Sequence, residues 1–323
     1  MSASVSGWSP SQWWCSVVVL DRPNAFGLFF SLKGSVLPRI APSIAACTAL
    51  AILVTLTHGL LFSWKVTLTP VPFTLIGLAL AIFLGFRNSA AYERFWEARK
   101  LWGELIHQAR NLARQQSWVD MRSPEGVDES TLLLRRTIAF AHALRCQLRR
   151  LDVRADLAKW LPANEQAQTA GLRNPADELL IRNTLDTARW VHEGRLAAPL
   201  AAEMDKSLAA LAGVQAGCER IASTPIPFAY TLLLHRTAYL YCVLLPFGLI
   251  DLIGVMTPVV VAIVSYTFFG LDALGDEIEQ PFGLRPHHLP LDALCRTVEI
   301  DLLRAAGAQA LPEPLQPVGG MLH

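Results

Sequence analysis

Leu78, Ile82 and Phe86 stand at i, i+4 and i+8 in a stretch without charge, so all three share one face of a helix. Apolar side chains do no covalent chemistry. A ring of such helices, however, would stack three apolar girdles, and an ion cannot shed its water cheaply inside one. The same spacing fits a stripe turned to lipid, and spacing alone favours lipid. Gly77, Ala79, Ala81 and Gly85 offer small surfaces elsewhere on the helix, where a neighbour could approach closely. The remaining candidates are charged. Asp272, Asp276, Glu277 and Glu279 crowd together, while Arg87 and Arg94 follow the apolar stripe. The carboxylates would draw cations to a pore mouth, or mark where a helix leaves the membrane; the arginines would draw anions. Those two tendencies cancel.

The sequence arranges nothing for catalysis. It has no HExxH, no Ser/His/Asp or Cys/His grouping and no Gly-rich phosphate loop. His287-His288 lies in a proline-bounded loop and reads as a surface pair before a metal site. Cys15, Cys47, Cys146, Cys218, Cys242 and Cys295 are scattered without a CxxC, which reads as isolated buried thiols. The expectation is a chain that is not an enzyme and uses no metal or cofactor.

The elements holding these residues are membrane helices. Of 323 residues, 52% are hydrophobic and 17% charged, against about 45–50% and about 25% in soluble domains. A spanning helix needs about 20 mostly apolar residues. Ile40–Trp64 and Val66–Phe86 meet that demand without a charge, as does Leu252–Leu271. Thr237–Ile250 is too short alone, but reaches span length when extended back to Ile226, through His235 and Arg236. Pro42, Pro72, Pro246 and Pro258 would be awkward in soluble helices and are tolerated in membrane ones. The alternative, buried core helices of a large soluble protein, fits such charge-free runs poorly.

Charge sets the orientation. Lys65 alone separates the first two spans, whereas twenty Lys and Arg lie between Arg87 and Ala229. By the positive-inside rule that middle region is cytoplasmic. Arg22, Lys33 and Arg39 put the N-terminus on the same side, Asp251 marks an outer turn, and Arg285, Arg296 and Arg304 return the tail to the cytoplasm. The middle is helical, with breaks at Arg122–Gly126 and between Pro162 and Pro175. Its twenty basic residues are accompanied by seventeen acidic ones, so a solvated, salt-bridged surface is favoured over an RNA-binding face. With a net charge of +1, no nucleic-acid partner is expected.

Four regions carry a family likeness. Phe83-Leu-Gly-Phe-Arg-Asn-Ser-Ala-Ala-Tyr-Glu-Arg-Phe-Trp-Glu-Ala-Arg-Lys-Leu-Trp-Gly resembles the segment after the second span of bestrophins, notably their prokaryotic branch. Cys218-Glu-Arg-Ile-Ala-Ser-Thr-Pro-Ile-Pro-Phe-Ala-Tyr resembles their entry into the third span, and Glu279-Gln-Pro-Phe-Gly their Pro-Phe-Gly signature. Arg22-Pro and Gly34-Ser-Val-Leu fit their N-terminal helix, so the likeness runs from about residue 22 to 312 in consistent order. It implies a homopentameric channel with one central pore and membrane lipid around it. It also puts the hydrophobic neck on Leu78, Ile82 and Phe86, reversing the preference for lipid, and a cytosolic aperture near Pro199 or Leu200. Animal bestrophins follow Pro-Phe-Gly with an acidic, calcium-clasping run. Here Leu284-Arg-Pro-His-His-Leu-Pro has no carboxylate, so no calcium clasp is expected.

The expectation is thus an all-α membrane protein of the cell (inner) membrane with four spans and both termini cytoplasmic. Residues 1–21 form a poorly ordered extension, or precede the native start. Residues 22–86 carry the N-terminal helix and two spans, 87–225 a large helical cytoplasmic domain, 226–271 two further spans and 272–323 a cytoplasmic tail. The channel would pass chloride or other anions, or sodium and potassium. A secondary transporter ranks second, since the spans show no internal repeat. A membrane-anchored scaffold ranks third.

Overall fold

Leu37–Leu56 forms the first of the described helices, α1, because it is a charge-poor apolar run with a defined start: Ser35 Oγ accepts from the Leu37 amide, and Pro38 occupies the first turn. Pro42 lies inside it. Thr48 and Thr55 donate their hydroxyls to the Ile44 and Ala51 carbonyls, and Thr237 and Thr267 do the same in later helices. Returning a hydroxyl to its own helix is how an apolar span keeps polar atoms without exposing them to lipid.

The computed structural model describes residues 17–18, 34–57, 60–61, 64–65, 69–120, 124–317 and 321–322. The N-terminal extension and Cys15 therefore lie largely or wholly outside the described residues. Among those described, the regular structure is helical apart from two antiparallel pairs of two-residue strands, Val17–Val18 with Met321–Leu322 and Leu60–Leu61 with Trp64–Lys65. The chain divides into two compact units. One comprises Asp21–Phe95 and Pro225–Gln280; the other comprises Met1–Leu20, Trp96–Thr224 and Pro281–His323.

The first unit holds α1, the N-terminal part of α2 (Pro70–Gln115), α8 (Phe228–Ile253) and α9 (Thr257–Glu279). Its core joins Cys47 and Ala51 of α1, Leu80 and Leu84 of α2, Ala238 and Cys242 of α8, and Val261 and Phe269 of α9. Gly77 and Gly248 permit close approaches between these helices. A Cβ on Gly77 would stand 2.7 Å from Tyr241 Oη, and one on Gly248 2.7 Å from Phe73. α8 and α9 meet at a 3₁₀ turn, Gly254–Met256, where Gly254 takes φ +52°, ψ −121°, and Pro258 opens the next helix. The turn thus falls after Asp251, which the sequence places in the turn itself and which is the 24th residue of α8. α1 likewise ends at Leu56 rather than Trp64.

Among the described residues, three stretches are long and apolar enough to cross a membrane: Leu37–Leu56, Val71–Trp118 and Phe228–Glu279, the last containing both α8 and α9. α2 is 46 residues long, or about 69 Å at 1.5 Å per residue. It runs unbroken past Phe86, where the sequence reading ended the second span.

The second unit contains the rest of α2, α3 (Pro124–Arg149), α4 (Arg154–Trp160), α5 (Ala163–Thr169), α6 (Pro175–His192), α7 (Ala198–Ser223) and α10 (Leu291–Ala305). Asn174 caps α6 by accepting from the Asp177 amide, with Pro175 at the first helical position. α3 is central, packing against α4, α6, α7 and α10. Trp102, Leu105, Ile138, Phe140, Leu144 and Trp190 are among the fully buried side chains of this unit.

Candidate functional site

α2 has two unlike faces within the first unit. Leu80 and Leu84 are 2% and 1% exposed, whereas Leu78, Ile82 and Phe86 are 60%, 48% and 63% exposed. The helical period accounts for the split, since residues two apart point nearly oppositely on a helix. The uncovered face is wider than the three-residue stripe. Val71, Leu75 and Phe83 are also exposed, and the Phe83 and Phe86 rings meet edge-on at 6.5 Å. Gly85 has open space beside it and serves no close approach among the described residues, unlike Gly77.

The charged candidates meet directly after this stripe. Arg87 follows Phe86, yet its side chain is fully buried, because it turns to the opposite side of α2. One terminal nitrogen donates to Asp272 Oδ1 at 2.8 Å; the other pairs with Asp276 and lies 3.6 Å from Glu279. Arg39 of α1 reaches Asp276 at 2.9 Å and Glu277 at 3.3 Å. His235 Nδ1 of α8 lies 2.7 Å from the other Asp272 oxygen. Glu279 accepts from the Ile226 amide at 3.1 Å, and its carbonyl accepts from Arg94 Nε at 3.3 Å. All four helices of the unit are tied here. The sequence set these arginines and carboxylates against each other as opposing mouth charges, whereas the fold pairs them. No sequence signal marks the pairing, since Arg87 and Asp272 stand 185 residues apart.

Pro199 and Leu200 lie in the first turn of α7, both on its exposed side, with Leu200 37% exposed. The second unit carries a buried ionic network that sequence reading missed. Asp292 receives Arg145 and Arg149, both at 2.5 Å, and Arg145 also holds Asp156 at 2.7 Å. Glu299 binds His142 at 2.7 Å, and Arg136 grips Glu165 while pairing with Asp186. Burial alone would raise the Asp292 carboxyl, but Arg149 and Arg145 outweigh it and hold it below its ordinary range. Glu299 is likewise lowered, with burial overcome by His142, Lys159 and Arg296. The five described cysteines are buried and unbridged, and burial pushes the Cys218 thiol up to about 12. Such thiols are unreactive. Among the described residues no cluster of three His, Cys, Asp or Glu is placed to hold a metal. In the loop after Pro-Phe-Gly, His288 is buried and its Nδ1 accepts from the Arg285 amide at 3.2 Å, so the histidine pair is only partly a surface feature.

The arrangement matches known proteins along most of its length. The family profile described as bacterial/fungal bestrophin protein matches residues 17–304. The voltage-dependent anion channel-forming protein mll4386 of Mesorhizobium japonicum is 46% identical over 312 residues, covering 93% of this chain and 95% of that one. Its counterpart YneE of Escherichia coli K12 is 40% identical over 301 residues, covering 93% and 98%. A solved bacterial bestrophin homolog from Klebsiella pneumoniae aligns with a TM-score of 0.80 at 38% identity, over 84% of this chain and all of that one. The chain belongs to the bacterial/fungal bestrophin family.

Proposed function

We propose that five copies of this chain enclose a central pore in the cell membrane that passes small monovalent ions, with Leu78, Ile82 and Phe86 forming its neck. The observation that carries this reading is the uncovered apolar face of α2 opposite the packed Leu80 and Leu84. A ring of such faces makes a narrow, dry constriction that can exclude or gate hydrated ions. The names of the Mesorhizobium and Escherichia relatives, which describe anion channel formation, support a pore over a lipid-facing stripe. α1, the first part of α2, α8 and α9 would be the four spans, which leaves both termini and the second unit in the cytoplasm. Pro199 and Leu200 would line a second, cytosolic aperture. The neck carries no charge, and the charges next to it are paired among themselves. The geometry is therefore assigned to ion passage without a preferred sign, while the relatives' names favour anions.

Native mass spectrometry and proteoliposome flux test this directly. The expected particle is five times 35.5 kDa, with passive, non-saturating flux set by the ion gradient. A monomer, or saturable flux coupled to a second solute, would sink the pore and favour a transporter. No flux at all would favour a scaffold. With no carboxylate in 284–290, flux should be indifferent to calcium chelation; a loss on adding chelator would restore a calcium site.

A further inference from the structure

α1 and α8 leave a groove between them of about 430 Å³, lined by Pro42, Ser43, Ala46 and Leu50 on one side and Tyr239 and Val243 on the other. The lining is almost wholly apolar, and its polar atoms Ser43 Oγ and Tyr239 Oη bond each other at 2.9 Å. That contact fixes the register of the two helices, which run in the same direction within this unit. One turn back toward the N-terminus, each lining face ends in an arginine. Arg39 precedes Ser43 by four residues, and Arg236 precedes Tyr239 by three and Val243 by seven. Such spacings put both residues on the groove side of their helices, and four residues place Arg39 only about 6 Å beyond Ser43. Arg39 is the third residue of α1, at the end of the span. Its side chain stays 47% exposed while it pairs with Asp276 and Glu277, which leaves donors unused. Arg236 is exposed and has no ion-pair or hydrogen-bond partner among the described residues. An arginine in an apolar span needs an anion, and guanidinium binds phosphate through two parallel bonds.

We infer that this groove holds an anionic phospholipid, with an acyl chain against Ala46, Leu50 and Val243 and its phosphate at Arg236 and Arg39. A zwitterionic choline headgroup would bring a third cation to the same place, so the site discriminates by headgroup charge. The inference rests on the membrane placement of α1 and α8 proposed above.

The test is native mass spectrometry of the full-length, delipidated protein titrated with palmitoyl-oleoyl phosphatidylglycerol or phosphatidylcholine, with ion flux recorded on the same preparations. Wild type is expected to bind phosphatidylglycerol about tenfold more tightly than phosphatidylcholine, a difference of about 1.4 kcal/mol. Arg236→Gln should abolish that preference, and Arg236→Lys should keep most of it. Ala46→Trp, which fills the groove and leaves both cations, should weaken both lipids. Glycerol phosphate should not compete, because it lacks the chain. Equal binding of the two lipids by wild type, or a preference unchanged in Arg236→Gln, overturns the site. So does an Ala46→Trp variant that binds lipid normally but loses its oligomer, since a second copy would then be the occupant. Protein that conducts but shows no headgroup preference overturns the lipid site and leaves the pore standing.

Discussion

Arg87 is the residue on which the membrane unit turns. Its guanidinium is completely buried against Asp272 and Asp276, one position after Phe86. Removing one partner of such a pair leaves the others charged and dry, which typically costs about 3–5 kcal/mol, whereas removing both together costs far less. Arg87→Met should therefore lower thermal stability in detergent sharply, and Arg87→Met/Asp272→Asn should recover a substantial part of the loss. A double variant no more stable than Arg87→Met would contradict the pairing. Gly275 probes the same contact from α9. A Cβ there would collide with Asn88 Oδ1 and stand 3.2 Å from Arg87 Nη1, so Gly275→Ala should destabilise, and an unchanged melting temperature would mean this packing is loose. The residues of this cluster were legible in the sequence as charged groups near the ends of spans. Their mutual contacts were not, because helical spacing predicts neighbours along one helix and is silent about partners on another.

At the scale of elements, the long apolar helices were legible because a run of about 20 charge-free residues reads as a membrane helix. Their ends were less so. α2 continues past Phe86 as one helix because nothing stops it: Arg, Ala, Glu and Leu are good helix formers, and no proline intervenes before Gln115. The α8–α9 turn sits at Gly254 because its positive φ suits glycine, a stronger determinant than the charge on Asp251. Gly254→Ala should cost about 1–3 kcal/mol, read as a lower melting temperature. In the second unit, α10 is held to α3 by Asp292 and Glu299. Both carboxyls have folded pKa values below their unfolded ones, of about 3.9 and 4.3. Their stabilisation is thus present above those unfolded values and is lost as pH falls through the folded ones. Asp292→Asn should be destabilised at pH 7 by about 1–3 kcal/mol, and should lose less melting temperature than wild type between pH 7 and pH 3. Parallel losses in the two proteins would show that Asp292 is not part of the acid sensitivity.

For the whole molecule, one chain leaves an apolar face of α2 open, and the proposed pentamer gives that face a use by turning five of them toward a common axis. Family membership was legible in the segments around Phe86, Pro227 and Pro281. The proposed number of copies rests on that likeness, since helical spacing within one chain carries no count of the copies around it. The decisive measurement is single-channel recording of the purified protein in planar bilayers under asymmetric NaCl, repeated with Leu78→Ala, Ile82→Ala and Phe86→Ala. Wild type should show unitary currents that grow severalfold when the neck is trimmed, most of all for Phe86, with a reversal potential that reports the sign of the ion. Folded oligomers that are silent in wild type and all three variants, or currents that trimming leaves unchanged, would contradict a neck formed by these residues.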